Sequence, residues 1–95
     1  MASERDLQHY LMMLADARDI FCRKVQAVGH TGFPDLFLAR MGRVALVELK
    51  SPTGKGRLSR KQEREIERLR GEGINVYVID SKEGAEKVIK NLADA

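Results

Sequence analysis

Apolar side chains recur at helical spacing near the start of the chain and at strand spacing further on. Ser3 carries a side chain that favours a helix N-cap, and Leu7, Leu11 and Leu14 follow at intervals of three or four residues. This spacing predicts a first helix. Residues 21–28 are rich in β-prone side chains with weak alternation, and they predict a strand that ends before a glycine-containing loop.

Two short apolar runs, residues 35–39 and 44–50, predict the two strands of a hairpin. The residues between them place Met41 and Gly42 in a two-residue turn. The second run is apolar on both faces over residues 44–47, which is expected of a central strand that is covered on both sides.

The second half of the chain predicts a helix, a strand and a last helix. Ser59 and Gln62 form an S-x-x-Q capping box, which predicts a helix that runs from there to about Arg70. The apolar run within residues 74–79 predicts the strand, and Ser81 offers an N-cap for the last helix. The apolar face of that helix would consist of Ala85, Val88, Ile89 and Leu92.

The predicted order of elements is therefore α-β-β-β-α-β-α. The strand–helix–strand unit over residues 44–79 should be a parallel, right-handed crossover, and the three earlier strands should form a meander. We expect an α/β fold in which a small mixed sheet is flanked by helices. A length of 95 residues leaves room for one domain, so residues 1–95 are predicted to form a single folding unit.

Composition narrows the possible functions only in part. Lys and Arg outnumber Asp and Glu by 17 to 14, a mild excess that hints at a polyanionic partner. Cys22 is the one cysteine, which excludes an intrachain disulfide and a thiolate zinc site. Since His9 and His30 are the only histidines, any bound metal should be a hard ion held by carboxylates. The sequence shows neither a membrane-spanning run nor signal-peptide features, so we expect an intracellular protein unless a carrier exports it.

The hairpin register brings candidate chemistry to one end of the sheet. With Met41 and Gly42 in the turn, Asp35 directly faces Glu48, and the two side chains point to the same face. Lys50 lies two residues beyond Glu48 and projects from that face as well. A Pro-Asp pair such as Pro34-Asp35 and an E-x-K motif such as residues 48–50 are each common at strand ends. The facing register of these two motifs beside a central apolar strand favours a functional site.

Two carboxylates held opposite each other repel, so Asp35 and Glu48 do not stabilise the fold by themselves. A divalent cation such as Mg²⁺ or Mn²⁺ removes the conflict, because it binds carboxylate oxygens and keeps water in its other positions. Such an ion lowers the pKa of water and neutralises charge that develops on a phosphodiester. We therefore expect Lys50 to position the water and to stabilise charge, since a lysine beside a metal must first lose its proton to act as a base.

The motifs resemble those of the PD-(D/E)XK nuclease superfamily, which has a restriction-endonuclease-like fold. More narrowly, the chain is similar to the stand-alone, viral type of VRR-NUC domain, the replication and repair nuclease module. The similarity extends to the first helix and to residues 73–77, so it covers nearly the whole chain. The segments that match the family pattern in order and spacing are residues 32–36, 47–52 and 56–62.

The resemblance implies a metal-dependent endonuclease that cuts structured DNA. It assigns metal ligation to Asp35 and Glu48, with the backbone carbonyl of Leu49 as a further ligand, and it assigns Lys50 to the attacking water. Mg²⁺ or Mn²⁺ is the implied cofactor.

Two further residues are implied by the resemblance but have an alternative explanation. Glu4 would point from the first helix towards the metal, although it could equally complement the helix dipole. Gln62 would lie at the rim of the site, although it could serve only its capping box. Because the apolar stripe of its helix places Gln62 on the side that faces the sheet, the site is favoured for this residue.

Basic residues flank the predicted site and are candidates for contacts with DNA phosphates. The loop of residues 51–57 is basic and rich in glycine, which suits contact with a nucleic-acid backbone rather than with bases. The chain has only five aromatic residues, so a stacking platform for single strands is not expected. The candidate phosphate contacts are Arg23, Lys24, His30, Lys55, Arg57, Arg60 and Lys61.

The resemblance to stand-alone viral members implies a homodimer that acts on four-way DNA junctions. A two-fold dimer would present two active sites to a junction that has its own approximate two-fold symmetry. Tyr10, Met12 and Met13 offer apolar area for such an interface, although core packing could equally use them. The favoured hypothesis is a Holliday-junction resolvase. The alternatives are a flap or nicking endonuclease and a non-catalytic DNA-binding module on a nuclease fold.

Overall fold

A computed structural model describes residues 3–53 and 56–94, and its elements follow the predicted order. No helix in these two ranges is long and apolar enough to cross a membrane. The elements are α1 (Glu4–Ala17), β1 (Phe21–Lys24), β2 (Leu36–Arg40), β3 (Arg43–Leu49), α2 (Arg60–Gly71), β4 (Asn75–Ile79) and α3 (Lys82–Ala93).

The four strands form one mixed sheet in the order β1-β2-β3-β4, which confirms the predicted topology. The first three strands are an antiparallel meander, and β3 pairs with β4 in parallel. The hairpin register is also the predicted one, because Ala39 pairs with Val44 and Phe37 pairs with Leu46. Met41 and Gly42 both have positive φ angles, 50° and 82°, as a type I′ turn requires.

The first strand is shorter than predicted, and the prediction over residues 25–28 is wrong. β1 ends at Lys24 because its partner β2 begins only at Leu36. The amide of Val25 still donates a hydrogen bond to the carbonyl of Asp35 at 2.9 Å, and the two segments then separate. Without a partner strand the β-prone residues leave the sheet, and Val28 is 92% exposed. Composition alone therefore does not extend a strand beyond its partner.

Helices cover both faces of the sheet. On one face, α1 and α3 pack over the larger part of the core, to which β3 contributes Ala45, Val47 and Leu49. On the other face, Ile66 of α2 packs against Leu46. β3 is thus buried on both sides, as the apolar run predicted, and its carboxyl end lies between α1 and α2.

Gly32 allows the loop before β2 to approach the start of α2. Its φ is +89°, and a Cβ there would lie 2.9 Å from backbone atoms of Lys61 and Gln62. We expect Gly32→Ala to destabilise the protein by about 3 kcal/mol, because left-handed strain and backbone overlap add. The measurement is urea unfolding. Gly29→Ala is the matched control, since Gly29 has a φ of +80° with nothing within 4 Å of its Cβ position.

The control should lose only the strain contribution, roughly 1 kcal/mol. Equal losses of unfolding free energy in the two variants would show that the close approach of this loop to α2 does not require a glycine at position 32.

Candidate active site

Asp35, Glu48 and Lys50 meet where β2 begins and β3 ends. The last pair of the hairpin ladder is Leu36 with Val47, and Asp35 and Glu48 occupy the next two positions in the same register. The backbone amide of Leu49 donates a hydrogen bond to Asp35 Oδ2 at 2.8 Å. This bond ties the carboxylate of Asp35 to the end of β3, beside Glu48.

Glu48 is a buried charged residue, with only 2% of its surface exposed. One oxygen, Oε2, accepts a hydrogen bond from Gln62 Nε2 at 3.1 Å and lies 3.6 Å from Lys50 Nζ. The other oxygen, Oε1, is buried without a hydrogen-bond partner among the described residues. Buried polar atoms are nearly always paired in folded proteins, so this oxygen is available to a ligand.

The surroundings of Glu48 disfavour its negative charge. The pKa of Glu48 is raised from 4.5 to about 7, chiefly by burial and next by the negative charge of Asp35. The positive charge of Lys50 acts in the opposite direction without cancelling the other two effects. A carboxyl with a pKa raised by burial and by a second carboxyl is typical of functional sites, and a cation between the two would relieve the cost.

Gln62 connects α2 to Lys50 and Glu48, and together with Asp35 these residues form the catalytic cluster. Its Oε1 accepts hydrogen bonds from the backbone amide of Ser59 at 2.8 Å and from Lys50 Nζ at 2.9 Å. Its Nε2 donates the bond to Glu48. The capping box of α2 is complete, because Ser59 Oγ accepts from the amide of Gln62. Gln62 therefore caps the helix and orients two site residues at the same time.

A cavity of about 510 Å³ opens beside Asp35 on the α1 side of the site. Glu4 and Leu49 both line it, and the role of Glu4 towards a metal stays a prediction. Sequence reasoning missed three residues of α1 that line the same cavity. Gln8 lies four residues after Glu4, on the same side of the helix, and Arg5 and His9 directly follow these two residues, so the helical period indicated the shared helix face once Glu4 was placed at the site. Among the described residues, the lining consists of Glu4, Arg5, Gln8, His9, Lys24, Asp35 and Leu49.

The cluster fits a hard divalent cation that keeps most of its water. Among residues 3–53 and 56–94, no three His, Cys, Asp or Glu side chains are grouped closely enough to hold a metal. An ion at this place would depend on Asp35 and the unpaired oxygen of Glu48. Mg²⁺ is commonly bound through one or two carboxylates and several waters, which is the donor set found here. The carbonyl of Leu49 and the carboxylate of Glu4 remain predicted additional ligands.

The predicted DNA contacts fall into different surroundings. Lys24 lines the cavity, whereas the guanidinium of Arg23 lies 4.1 Å from the centroid of the Phe21 ring and donates to the Cys22 carbonyl. The predicted contact Lys55 lies outside the described residues. The remaining predicted contacts are exposed, in the glycine loop or near the start of α2, and they are His30, Arg57, Arg60 and Lys61.

The apolar residues predicted for an interface are mostly used within the chain. Tyr10 and Met12 are partly buried against the main core, and the hydroxyl of Tyr10 donates to Glu86. Met13 is 59% exposed. Core packing thus accounts for two of the three residues, and Met13 alone remains as apolar surface on this part of α1.

Comparison with known proteins gives a family model and a solved structure that agree with each other. The chain matches the family model of the VRR-NUC domain over residues 4–83. A solved structure named VRR_NUC domain has a TM-score of 0.84 and 30% sequence identity, and the match covers 95% of this chain and 97% of that chain. No match is found among curated protein sequences. The range matched by the family model includes all residues of the cluster and of the cavity.

Proposed function

The chain belongs to the VRR-NUC domain family, and we propose that it is a metal-dependent endonuclease that hydrolyses phosphodiesters in branched DNA. The family has a nuclease fold. The observation that carries the proposal is the buried Oε1 of Glu48, next to Asp35 and Lys50, which has no hydrogen-bond partner in the part of the chain that the structure describes. A protein that only binds DNA would gain nothing from a buried carboxylate whose ionisation the fold disfavours.

Asp35 and Glu48 are the proposed holders of a Mg²⁺ or Mn²⁺ ion, with the Leu49 carbonyl and Glu4 as further ligands. When bound, the cation supplies charge neutralisation at the phosphodiester and lowers the pKa of a water. Lys50 forms an ion pair with Glu48, and only 14% of its side-chain surface is exposed. We assign to Lys50 the stabilisation of charge at the phosphate and the orientation of the water, because a cation that is already held in position acts on charge that develops beside it.

Branched DNA is the proposed substrate, with the four-way junction preferred. The exposed basic residues Arg57, Arg60 and Lys61 lie near the start of α2, next to Gln62, where they can contact phosphates without reading bases. His30 and Arg23 are further proposed contacts. A homodimer would align two such sites with the two strands that a junction resolvase cuts.

The test is cleavage of a labelled four-way junction beside a flap and a linear duplex, in Mg²⁺ or Mn²⁺ and in EDTA. Paired, metal-dependent cuts in the junction would support the dimeric resolvase. Cuts in the flap or duplex only would keep the nuclease and remove the junction preference. Tight junction binding with no cleavage in any metal would contradict the enzyme and favour a binding module, in which Asp35→Asn would change nothing.

The two roles of Gln62 can be separated by comparing it with its capping partner. We expect Gln62→Met to slow cleavage at least about tenfold, because Lys50 and Glu48 lose the side chain that orients them. Ser59→Ala should leave cleavage unchanged, since the backbone amide at position 59 still donates to Gln62. Both variants should lose roughly 1 kcal/mol of stability from the weakened cap.

The measurements are single-turnover cleavage at saturating metal and urea unfolding of both variants. An equal loss of cleavage in the two variants would mean that Gln62 acts only through the start of the helix.

A further inference from the structure

We propose that α1 and the end of β1 form a phosphate-binding subsite, in which Arg5, Gln8, His9 and Lys24 hold a DNA phosphodiester next to the one that is cleaved. The proposal rests on the proposed nuclease function for the position of the cut, and it adds a second anchor for the same strand. Its starting point is the 510 Å³ cavity, which these four residues line together with Asp35.

The side chains of the subsite are not used elsewhere in the described part of the chain. Within residues 3–53 and 56–94, the structure gives no hydrogen bond, ion pair or ring contact to the side chains of Arg5, Gln8, His9 and Lys24. Arg70, by contrast, donates to the backbone carbonyl of Val76 at 2.7 Å. Within these described residues, a guanidinium, an ammonium, an amide and an imidazole are therefore available to a ligand at one place.

The subsite is built on rigid elements rather than on a loop. Arg5, Gln8 and His9 stand at i, i+3 and i+4, so they share one face of α1. The helix is fixed to the core by Leu7 and Leu11, each with no exposed surface. Donors held on a packed helix bind a ligand without a large cost for ordering it.

Lys24 connects the subsite to the catalytic pair. It is the last residue of β1 and pairs with Leu36, directly after Asp35 in the chain. The next residue, Val25, donates its amide to the Asp35 carbonyl at 2.9 Å. Lys24 and the face of α1 thus border Asp35, and a phosphate held by them would be a neighbour of the phosphate at the metal site.

The chemistry of the lining favours a phosphate over a base. A guanidinium, an ammonium, an amide and an imidazole all donate hydrogen bonds, and a phosphodiester offers anionic oxygens to accept them. No Phe, Tyr or Trp lines the cavity, so there is no ring on which a base could stack. Glu4 and Asp35 lie in the same cavity and are assigned to the cation, which leaves the basic groups for the strand.

The subsite lies on the opposite side of the sheet from the basic residues of α2. α1 packs on one face and α2 on the other, and the catalytic cluster lies between them at the end of β3. A strand that crosses the cluster would be held on both sides of the cut, by Arg57, Arg60 and Lys61 on one side and by the subsite on the other. Two anchors fix the position of the scissile phosphate better than one.

The test uses DNA in which one phosphodiester at a time is replaced by a neutral methylphosphonate, scanned along the strand around the branch point. Binding is measured in EDTA, so that the result does not depend on cleavage. For the parent protein, we expect one neutral linkage beside the cut position to weaken binding roughly tenfold. The double variant R5Q/H9Q should bind unmodified DNA weakly and lose this sensitivity, and Lys24→Gln should lose it at the same linkage.

The matched control is the double variant K87Q/K90Q, which removes two charges from exposed positions of α3. It should keep full sensitivity to that linkage. Sensitivity that persists in R5Q/H9Q and in Lys24→Gln would overturn the subsite, even if the protein cuts junctions normally. If both variants lose the sensitivity to that linkage but the parent protein cuts no DNA, the subsite is retained and only the nuclease function is contradicted.

Discussion

A Lys50→Ala variant is expected to cut DNA at least about a hundredfold more slowly than the parent protein when the metal is saturating. Lys50 Nζ is held by Gln62 Oε1 at 2.9 Å and lies 3.6 Å from Glu48 Oε2. Its charge is therefore oriented before the substrate arrives, and such charges contribute most to stabilising a phosphate as it reacts. The measurement is single-turnover cleavage of the four-way junction over a range of Mg²⁺ concentrations.

Lys61→Ala provides the control, because Lys61 is a proposed DNA contact that lies outside the cluster. Lys61 is exposed at the start of α2, one residue before Gln62. Its removal should weaken DNA binding in a salt-dependent way and leave the cleavage rate of the bound complex unchanged. A Lys50→Ala variant that cuts at the parent rate, with only a change in affinity, would remove Lys50 from the chemistry.

The hairpin shows how far the sequence determines the site. A two-residue turn at Met41 and Gly42 leaves one register for the strands, and that register brings Asp35 and Glu48 to adjacent positions. The apolar run over residues 44–47 likewise predicted that β3 would be a central strand covered on both sides. Local rules therefore predicted most of the fold and the central carboxylate pair.

Tertiary packing decided what these local rules left open. The end of β1 depends on where β2 begins, and residues 25–28 carry no local signal of the missing partner. The capping box showed that Gln62 starts a helix, but its bonds to Lys50 and Glu48 depend on how α2 lies on the sheet. Arg5 and His9 share a cavity with Asp35 because α1 packs beside the sheet, and their spacing from Glu4 indicates the helix face but not which strand end it meets.

These packing contacts also explain why the site is costly to the fold. Glu48 is held in place from α2, and Asp35 is held by the amide of Leu49, so the two carboxylates cannot move apart. The fold fixes the geometry before a cation binds, and the cost appears as the raised pKa of Glu48. Preorganisation of this kind exchanges stability for function, and that exchange can be measured without any nuclease assay.

Glu48→Gln is expected to stabilise the metal-free protein at high pH and to abolish its stabilisation by Mg²⁺. The pKa of Glu48 is about 7 in the folded chain against 4.5 for the ordinary group. Below about pH 4.5 the carboxyl is protonated in both states and contributes nothing. Between pH 4.5 and 7 only the unfolded state releases the proton, so the parent protein loses stability as the pH rises, and above pH 7 the loss stays constant.

The loss is on the order of 3 kcal/mol, which corresponds to roughly 10 °C or more in Tm for a domain of this size. Glu48→Gln cannot ionise at this position, so the difference in Tm between variant and parent should grow from pH 5 to pH 8 in EDTA. Thermal unfolding monitored by circular dichroism measures this difference in Tm. Glu72→Gln is the matched control, because Glu72 is exposed and paired with Arg68, and its difference from the parent should not grow.

Addition of Mg²⁺ at pH 8 should then raise the Tm of the parent, because a ligand that binds only the folded state stabilises it. The Glu72→Gln control should respond like the parent, and Glu48→Gln should not respond. Equal stabilisation of all three proteins by Mg²⁺ would place the cation elsewhere. A difference in Tm between Glu48→Gln and the parent that is the same at pH 5 and pH 8 in EDTA would mean that the buried carboxylate does not destabilise the fold. The main support for a cation at this site would then be lost.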